Sequence, residues 1–276
     1  MRASGFTGAA FAAIASLTAG MALAQDAQPP VPFEGGTLTI TENADFEKVL
    51  AFDGRELARN YVVYYNRTVE LGGTKVALFD LGDGGNACGT NTLMVWKPEG
   101  GDIQTATAGD DCGSPPPAVT DSAIYFVPYL MPGATGDVQV WSPDTGIRLA
   151  GTLSFVPQPG TGWADIESKK PDYMLDAFSN AAVYEAAVTL LGDSLNEVAT
   201  GLAVSGEIQT LPSGEIYGSG CVPHACGGAD AFMGLDAKGH KLYFAQQQEG
   251  PEPRSWPPVA EWPAGLAGAM KEALAR

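Results

Sequence analysis

Pro157-Gln158-Pro159-Gly160-Thr161-Gly162 is a turn-rich stretch that divides the chain into two parts of different composition. Proline and glycine disfavour both helices and central strands, so this stretch predicts a boundary between two folding units. We place a linker at residues 157–172, a first domain at residues 36–156 and a second domain at residues 173–276. Residues 25–35 are polar and rich in proline, and we expect them to be flexible.

The first domain is predicted to be all-β. Its candidate strands are rich in Val, Ile, Tyr, Phe and Thr, and turn clusters containing glycine, asparagine or aspartate separate them. The strands are Thr37–Ile40, Lys48–Phe52, Tyr61–Tyr65, Lys75–Leu81, Asn91–Trp96, Ser122–Val127, Asp137–Trp141 and Arg148–Phe155. Many short strands between such turns indicate a β-sandwich or a barrel-like domain.

The second domain is predicted to be α+β, with helices packed on an antiparallel sheet. Tyr173–Leu191 is rich in Ala, Leu, Met and Glu, and favours a helix. Ser194 and Glu197 have the spacing of a capping box, which predicts a second, short helix. The apolar residues of that helix share one face by their spacing; they are Leu195, Val198 and Leu202.

Strands are predicted to follow these helices. Ala231–Asp236 and Lys241–Gln246 flank Ala237-Lys238-Gly239-His240, which indicates a hairpin whose turn uses Gly239 at positive φ. The last residues, Pro263–Arg276, predict a short terminal helix.

Residues 1–24 have the features of a secretory signal. Arg2 gives a positive start, an apolar run extends from Phe6 to Leu23, and Ala22-Leu23-Ala24 forms an A-x-A site. We predict cleavage after Ala24, and therefore a periplasmic or secreted protein. An uncleaved membrane anchor is the alternative, but the apolar run is short and rich in alanine for that role.

The chain is acidic, with a formal net charge of −17. This charge disfavours binding to nucleic acid or to an anionic membrane surface, because like charges repel. It favours encounter with a basic protein. Acidity also keeps a protein soluble, and charge alone does not separate these two roles.

Four cysteines lie beyond the signal, and an even number in an exported chain predicts disulfides. Three pairings of Cys88, Cys112, Cys221 and Cys226 are open. We favour Cys88–Cys112 and Cys221–Cys226, because each bond then stays within one domain.

One segment differs from the rest: Gly218-Ser219-Gly220-Cys221-Val222-Pro223-His224-Ala225-Cys226-Gly227-Gly228. If its two cysteines bond, the chain must double back, since the α-carbons of a disulfide are about 5.5 Å apart. Pro223 fixes its own φ, and the glycines on both sides allow a sharp entry and exit. These features predict a stiff, projecting loop that carries the imidazole of His224, and a stiff loop loses little entropy on binding.

The loop resembles the Cys-x-Pro-His-x-Cys signature of the Ivy family, the periplasmic inhibitors of vertebrate-type lysozyme. The predicted helices, the glycine-rich entry and the hairpin follow in the order of that family, so the resemblance covers about residues 173–250. It implies an inhibitor loop that enters the cleft of a lysozyme-type glycoside hydrolase, where the histidine contacts the catalytic carboxylates. The residues that would form this loop are Cys221, Val222, Pro223, His224, Ala225 and Cys226.

Two positions of the loop differ from the family pattern. That pattern has a lysine after the first cysteine and an aspartate before the second, whereas this sequence has Val222 and Ala225. The resemblance therefore implies either a different muramidase as the target or an Ivy-like scaffold that serves as a non-inhibitory envelope module.

Enzymatic alternatives have less support in the sequence. Cys221, His224 and Cys226 are metal-ligand types, but thiolates in an oxidising compartment tend to pair, and no fourth ligand is obvious nearby. A Cys–His nucleophile would need Cys221 reduced. A plain disulfide staple with His224 as an ordinary surface residue also stays open.

Acidic turns in the first domain offer oxygen ligands, but their spacing does not fit an EF-hand. They include Asp80, Asp83, Asn86, Asp110 and Asp111. We expect no metal, no cofactor and no catalytic residues. The hypothesis is an inhibitor whose partner is a basic lysozyme-type enzyme, and the sequence leaves open whether the protein forms a homo-oligomer.

Overall fold

A computed structural model describes residues 28–250 and 252–275 of the chain. The predicted signal and its cleavage site lie outside these residues. Within them, no helix has both the length and the apolar character needed to cross a bilayer.

The first part of the described chain forms three four-stranded antiparallel sheets, each built from consecutive strands. The first sheet contains β1 (Val31–Phe33), β2 (Gly36–Glu42), β3 (Lys48–Phe52) and β4 (Arg55–Asn60). The middle sheet contains β5 (Val62–Leu71), β6 (Thr74–Gly82), β7 (Asn91–Trp96) and β8 (Gln104–Ala108). The third sheet contains β9 (Pro117–Val119), β10 (Ile124–Phe126), β11 (Thr135–Ser142) and β12 (Gly146–Ser154).

The middle sheet is buried on both faces. Successive side chains of a strand point to opposite sides, and in β6 one set, Ala77 and Phe79, packs against the first sheet. The other set, Val76 and Leu78, packs against the third sheet. The predicted all-β domain is thus confirmed, and its architecture is a sandwich of three layers.

The segment expected to be flexible contains a strand. β1 pairs with β2 in register, and Phe33 at its end is 4% exposed. Gln28 also accepts a hydrogen bond from the backbone amide of Tyr65 at 2.8 Å. Burial of one aromatic ring therefore orders residues that composition alone suggested were loose.

The second part is α+β, as predicted. Its helices are α1 (Trp163–Ser168), a 3-10 helix (Met174–Ser179), α2 (Ala181–Leu191), a 3-10 turn (Gly192–Ser194), α3 (Leu195–Thr200), a 3-10 turn (Val259–Glu261) and α4 (Ala264–Ala273). Its strands are β13 (Val204–Ser205), β14 (Gln209–Thr210), β15 (Ile216–Cys221), β16 (Ala231–Asp236), β17 (Lys241–Gln246) and β18 (Arg254–Trp256). They form one antiparallel sheet in the order β13-β15-β16-β17-β18, and β14 also pairs with β15.

Helices cover both faces of this sheet. One face packs against α2, α3 and the 3-10 helix Met174–Ser179, in a core that includes the three residues predicted to share a face of the short helix. The other face packs against Leu266 of α4 and against Trp262, which precedes that helix. The terminal helix predicted from the sequence is therefore part of the core.

The predicted helix Tyr173–Leu191 is divided in two. Asn180 ends the 3-10 helix and begins α2, where its side-chain oxygen accepts a hydrogen bond from the amide of Val183 at 3.1 Å. An asparagine side chain competes with the backbone in this way at helix starts, and composition did not reveal it.

The predicted capping box at Ser194 is wrong. The Ser194 side chain makes no cap bond and instead accepts a hydrogen bond from Arg254 at 2.8 Å. Glu197 is also paired with Arg254, at 3.3 Å. The guanidinium of Arg254, on β18, thus binds both residues of the predicted capping box.

The hairpin between β16 and β17 forms as predicted, but its turn differs. His240, and not Gly239, has positive φ, at 54°. The amide of Gly239 donates to a carboxylate oxygen of Asp236 at 2.8 Å, and a β-carbon on Gly239 would collide with that carboxylate. Glycine is needed there for close approach and not for a left-handed backbone.

The two parts of the chain are in contact. The Asn196 amide donates to the carbonyl of Pro132 at 3.2 Å, and the rings of Phe155 and Tyr184 lie 5.1 Å apart. The stretch expected to be a linker also contains α1, whose Trp163 packs on the core of the second part.

Candidate functional site

The Cys221–Cys226 loop begins where strand β15 ends. Cys221 is buried at the last position of β15, whereas residues 223–228 are exposed. The two cysteines form a disulfide with their α-carbons 4.9 Å apart. The loop is therefore anchored at one end to the sheet and projects into solvent.

A tight turn presents His224. The amide of Ala225 donates to the carbonyl of Val222 at 3.0 Å, with Pro223 and His224 as the two central residues. His224 has φ of 63°. Proline followed by a residue of positive φ is the pattern of a type II turn, which favours glycine at the second central position. A side chain there costs about 1–2 kcal/mol.

The imidazole of His224 is exposed. Within the described residues, no hydrogen bond or ring contact holds it. A residue held at a disfavoured φ by its surroundings is a feature that is concentrated at functional sites. The geometry leaves both ring nitrogens free to bind a partner.

The exit of the loop depends on a residue that the sequence reasoning missed. The amide of Gly227, which has φ of 90°, donates to a carboxylate oxygen of Asp230 at 2.7 Å. The amide of Gly228 donates to the carbonyl of Ala225 at 3.3 Å. The signal was present, because an aspartate close to paired glycines is typical of a side-chain-closed turn.

The glycines at the entry act differently from the prediction. Gly218 and Gly220 lie in β15 and neither has positive φ. A β-carbon on Gly220 would lie 2.9 Å from both Cα of Leu202 and the carbonyl oxygen of Val204. A β-carbon on Gly218 would lie 2.8 Å from the Met174 side chain. These glycines allow close packing, and only the exit uses the left-handed freedom of glycine.

The other predicted disulfide lies in the first part of the chain. Cys88 and Cys112 are bonded with their α-carbons 4.6 Å apart, and the amide of Cys112 donates to Asp110 at 2.9 Å. This is the pairing that the sequence favoured. The acidic turns near it form no group of three or more metal-ligand side chains within the described residues.

The two enzymatic alternatives for the loop, a metal site and a nucleophilic cysteine, both require a thiolate. Cys221 and Cys226 are bonded to each other, and the described chain has no free cysteine. A nucleophilic or zinc-binding thiolate at this position would therefore need the disulfide reduced first.

Comparison with known proteins agrees with the division seen in the fold. Residues 34–154 match the family model described as the Y4bG N-terminal domain. Residues 182–276 match the family model described as Inhibitor of vertebrate lysozyme (Ivy). This match extends beyond the predicted range, through α4.

One relative aligns with most of the chain. An uncharacterized protein, y4bG of Sinorhizobium fredii, is 28% identical over 220 residues, which cover 79% of this chain and 80% of the relative. The alignment leaves out only about a fifth of this chain and each matched region is larger than that, so it extends into both. The chain is thus similar to the Y4bG N-terminal domain over residues 34–154, and to the family of inhibitors of vertebrate lysozyme over residues 182–276.

Proposed function

We propose that the protein is a periplasmic inhibitor of a lysozyme-type muramidase, and that the Cys221–Cys226 loop enters the active-site cleft of the enzyme. The observation that carries this proposal is the exposed imidazole of His224, held in a disulfide-closed turn within an Ivy-family domain.

The chemistry of the target fits such a loop. Glycoside hydrolases place two carboxyl groups on either side of the scissile bond, with a gap sized for sugar or water. An imidazole in that gap donates a hydrogen bond to a carboxylate, and the bond is stronger when the ring is protonated. The loop would then exclude the substrate and occupy the acid and the base together.

The rigidity of the loop supports tight binding. The disulfide, Pro223 and the Ala225–Val222 hydrogen bond fix the backbone before any partner arrives. Ordering a flexible loop at an interface opposes binding, so preorganisation raises affinity.

The sequence of the loop restricts the target. Val222 and Ala225 are uncharged, so His224 is the one ionisable side chain between the two cysteines. The net charge of −17 favours association with a basic enzyme. We therefore propose a basic muramidase whose cleft accepts an apolar loop with a single imidazole.

The proposal includes the location and the domain arrangement. An oxidising periplasm after signal removal agrees with the two disulfides. The matched regions support a first domain at 36–156, a linker at 157–172 and a second domain at 173–276. The same features would also suit a non-inhibitory interaction module, which is favoured by the loss of charge at Val222 and Ala225.

A lysozyme panel distinguishes these functions. Protein beginning at Gln25 is mixed with several muramidases, and wall lysis is followed against protein concentration. We expect dose-dependent inhibition of at least one enzyme, and loss of that inhibition in His224→Ala. His240→Ala is the matched control, because His240 is the other histidine of the chain and also lies exposed in a turn at positive φ.

Two results would contradict the proposal. Inhibition that survives His224→Ala would remove the loop from the mechanism. Binding to wall material or to a partner protein without inhibition of any muramidase would favour the interaction module.

A further inference from the structure

We propose that the enzyme-binding surface continues from the loop onto strand β13 and the hollow beside it, with Val204 and Tyr173 as apolar anchors. This inference rests on the proposed function and names a second part of the same interface. A stable protein–protein interface involves about 20–30 residues on each side. The loop between Cys221 and Cys226 is far smaller than that, so an inhibitor must use neighbouring surface as well.

Val204 is the nearest candidate by strand register. It pairs with Cys221, and Ser205 pairs with Gly220. Directly opposed residues of an antiparallel pair carry their side chains on the same face of the sheet. The Val204 side chain therefore lies beside the cysteine that anchors the loop, and it is 50% exposed.

Tyr173 also lines a hollow that contains Val204. The hollow has a volume of about 380 Å³ and is lined by Tyr173, Leu175, Asp176, Ala203, Val204 and Ser205. Tyr173 is 53% exposed. Of the three large hydrophobic side chains that the described residues after 162 leave exposed, two line this hollow and the third is Val188. The hollow that contains Val204, the strand partner of Cys221, therefore holds two of these three exposed side chains.

The backbone of Tyr173 is held in place. Its amide donates to a carboxylate oxygen of Asp176 at 3.0 Å, at the start of the 3-10 helix Met174–Ser179. The next residue, Met174, is fully buried and packs beneath Gly218. Tyrosine is enriched among the residues that dominate binding energy, and a fixed backbone reduces its entropic cost.

The charge around the hollow fits a basic partner. Asp176 lines the hollow, Glu207 follows β13, and both are exposed. Neither belongs to a salt bridge within the described residues. Carboxylates at the rim of an interface steer a basic partner and add a dependence on ionic strength.

The test compares variants against a muramidase that the unmodified protein inhibits. Tyr173→Ala and Val204→Thr are measured with Val188→Thr, an equally conservative change at an exposed valine on α2. We expect the inhibition constant to rise about tenfold for Tyr173→Ala and about threefold for Val204→Thr, and to change less than about twofold for Val188→Thr. Urea midpoints of all three variants check that the fold is retained.

The outcomes separate this inference from the function on which it rests. If Tyr173→Ala and Val204→Thr match the control while His224→Ala abolishes inhibition, the extended surface is wrong and the loop mechanism stands. If the unmodified protein inhibits no muramidase, both proposals fail together.

Discussion

His224 and His240 lie in turns at opposite ends of strand β16, and both have left-handed backbone, with φ of 63° and 54°. Their surroundings differ. The ring of His240 is stacked on Trp163, with centroids 5.2 Å apart and planes 8° from parallel. The ring of His224 has no such partner within the described residues. Two exposed histidines with similar backbone conformations therefore differ in their contacts: His240 stacks on an aromatic ring, and His224 does not.

The backbone of His224 gives a prediction that separates stability from binding. Glycine adopts positive φ without a steric cost, whereas alanine does not. We expect His224→Gly to have a free energy of unfolding about 1 kcal/mol higher than His224→Ala, and both to lose inhibition. Urea denaturation and a lysis assay measure the two effects. Equal stability of the two variants would show that the turn does not hold positive φ in solution.

The two disulfides are expected to differ in their effect on inhibition. The Cys221–Cys226 bond spans 5 positions, and the Cys88–Cys112 bond spans 24. By the loss of chain entropy in the unfolded state, they stabilise the fold by about 2 and about 3.5 kcal/mol, respectively. Cys221→Ala with Cys226→Ala should abolish inhibition at a small cost in stability. Cys88→Ala with Cys112→Ala should lower stability more, yet retain inhibition at temperatures where the variant is folded.

The assay for this pair is lysis at a temperature well below both unfolding midpoints. The result that contradicts the prediction is the reverse order, in which the double change in the first domain abolishes inhibition and the double change in the loop does not. That outcome would place the contact with the enzyme on the first part of the chain, which contains Cys88 and Cys112.

Much of the fold was accessible from sequence because local patterns determine it. Turn residues between runs of β-branched and aromatic residues located eight of the twelve strands described before residue 157, and β1, β4, β8 and β9 were not predicted. The stacking of three sheets was missed, although Val76–Phe79 is a continuous apolar run, which is typical of a strand buried on both faces. Strands buried on both faces occur in several architectures, so such a run does not identify which sheets cover it. The order of the three layers depends on contacts between segments that are distant in sequence.

The site was predictable in outline for a related reason. The cysteine spacing and Pro223 indicate a closed loop, and the exposure of His224 follows from its position in that loop. The left-handed φ of His224 was not predicted, because local preference favours glycine there. Val204 was also missed, since its proximity to Cys221 arises from strand pairing across residues distant in sequence.

Close packing at Gly220 gives a prediction about the support of the loop. A β-carbon there would lie 2.9 Å from backbone atoms of Leu202 and Val204, which cannot move aside as a flexible side chain does. We expect Gly220→Ala to lower the free energy of unfolding by about 1–3 kcal/mol through overpacking. Gly206→Ala is the control, because nothing lies within 4 Å of its β-carbon and its φ is not positive. Urea denaturation should show no loss of stability for the control, and a similar loss in both variants would contradict the packing argument.

Tyr243 makes the stability of the second domain sensitive to alkaline pH. Burial raises the pKa of its phenol, and the negative charges of Asp236 and Glu215 raise it further. The unfolded tyrosine loses its proton near pH 10, whereas the folded one retains it to higher pH. The unfolded state therefore binds fewer protons above about pH 10, so the contribution of this group is fully present below that pH and is lost as pH rises through the folded pKa.

Tyr243→Phe isolates this contribution. The stability of the unmodified protein relative to the variant should be constant between about pH 7 and 9, and should fall above about pH 10 by up to about 1.4 kcal/mol per pH unit. Urea denaturation across this range measures both proteins under identical conditions, so titration of the other groups cancels in the difference. The ring contact with Trp262, at 5.5 Å between centroids, needs no hydroxyl, so the phenylalanine variant should fold normally. A difference that stays flat through pH 11 would mean that the phenol of Tyr243 is reached by solvent, and that α4 does not seal this face of the sheet.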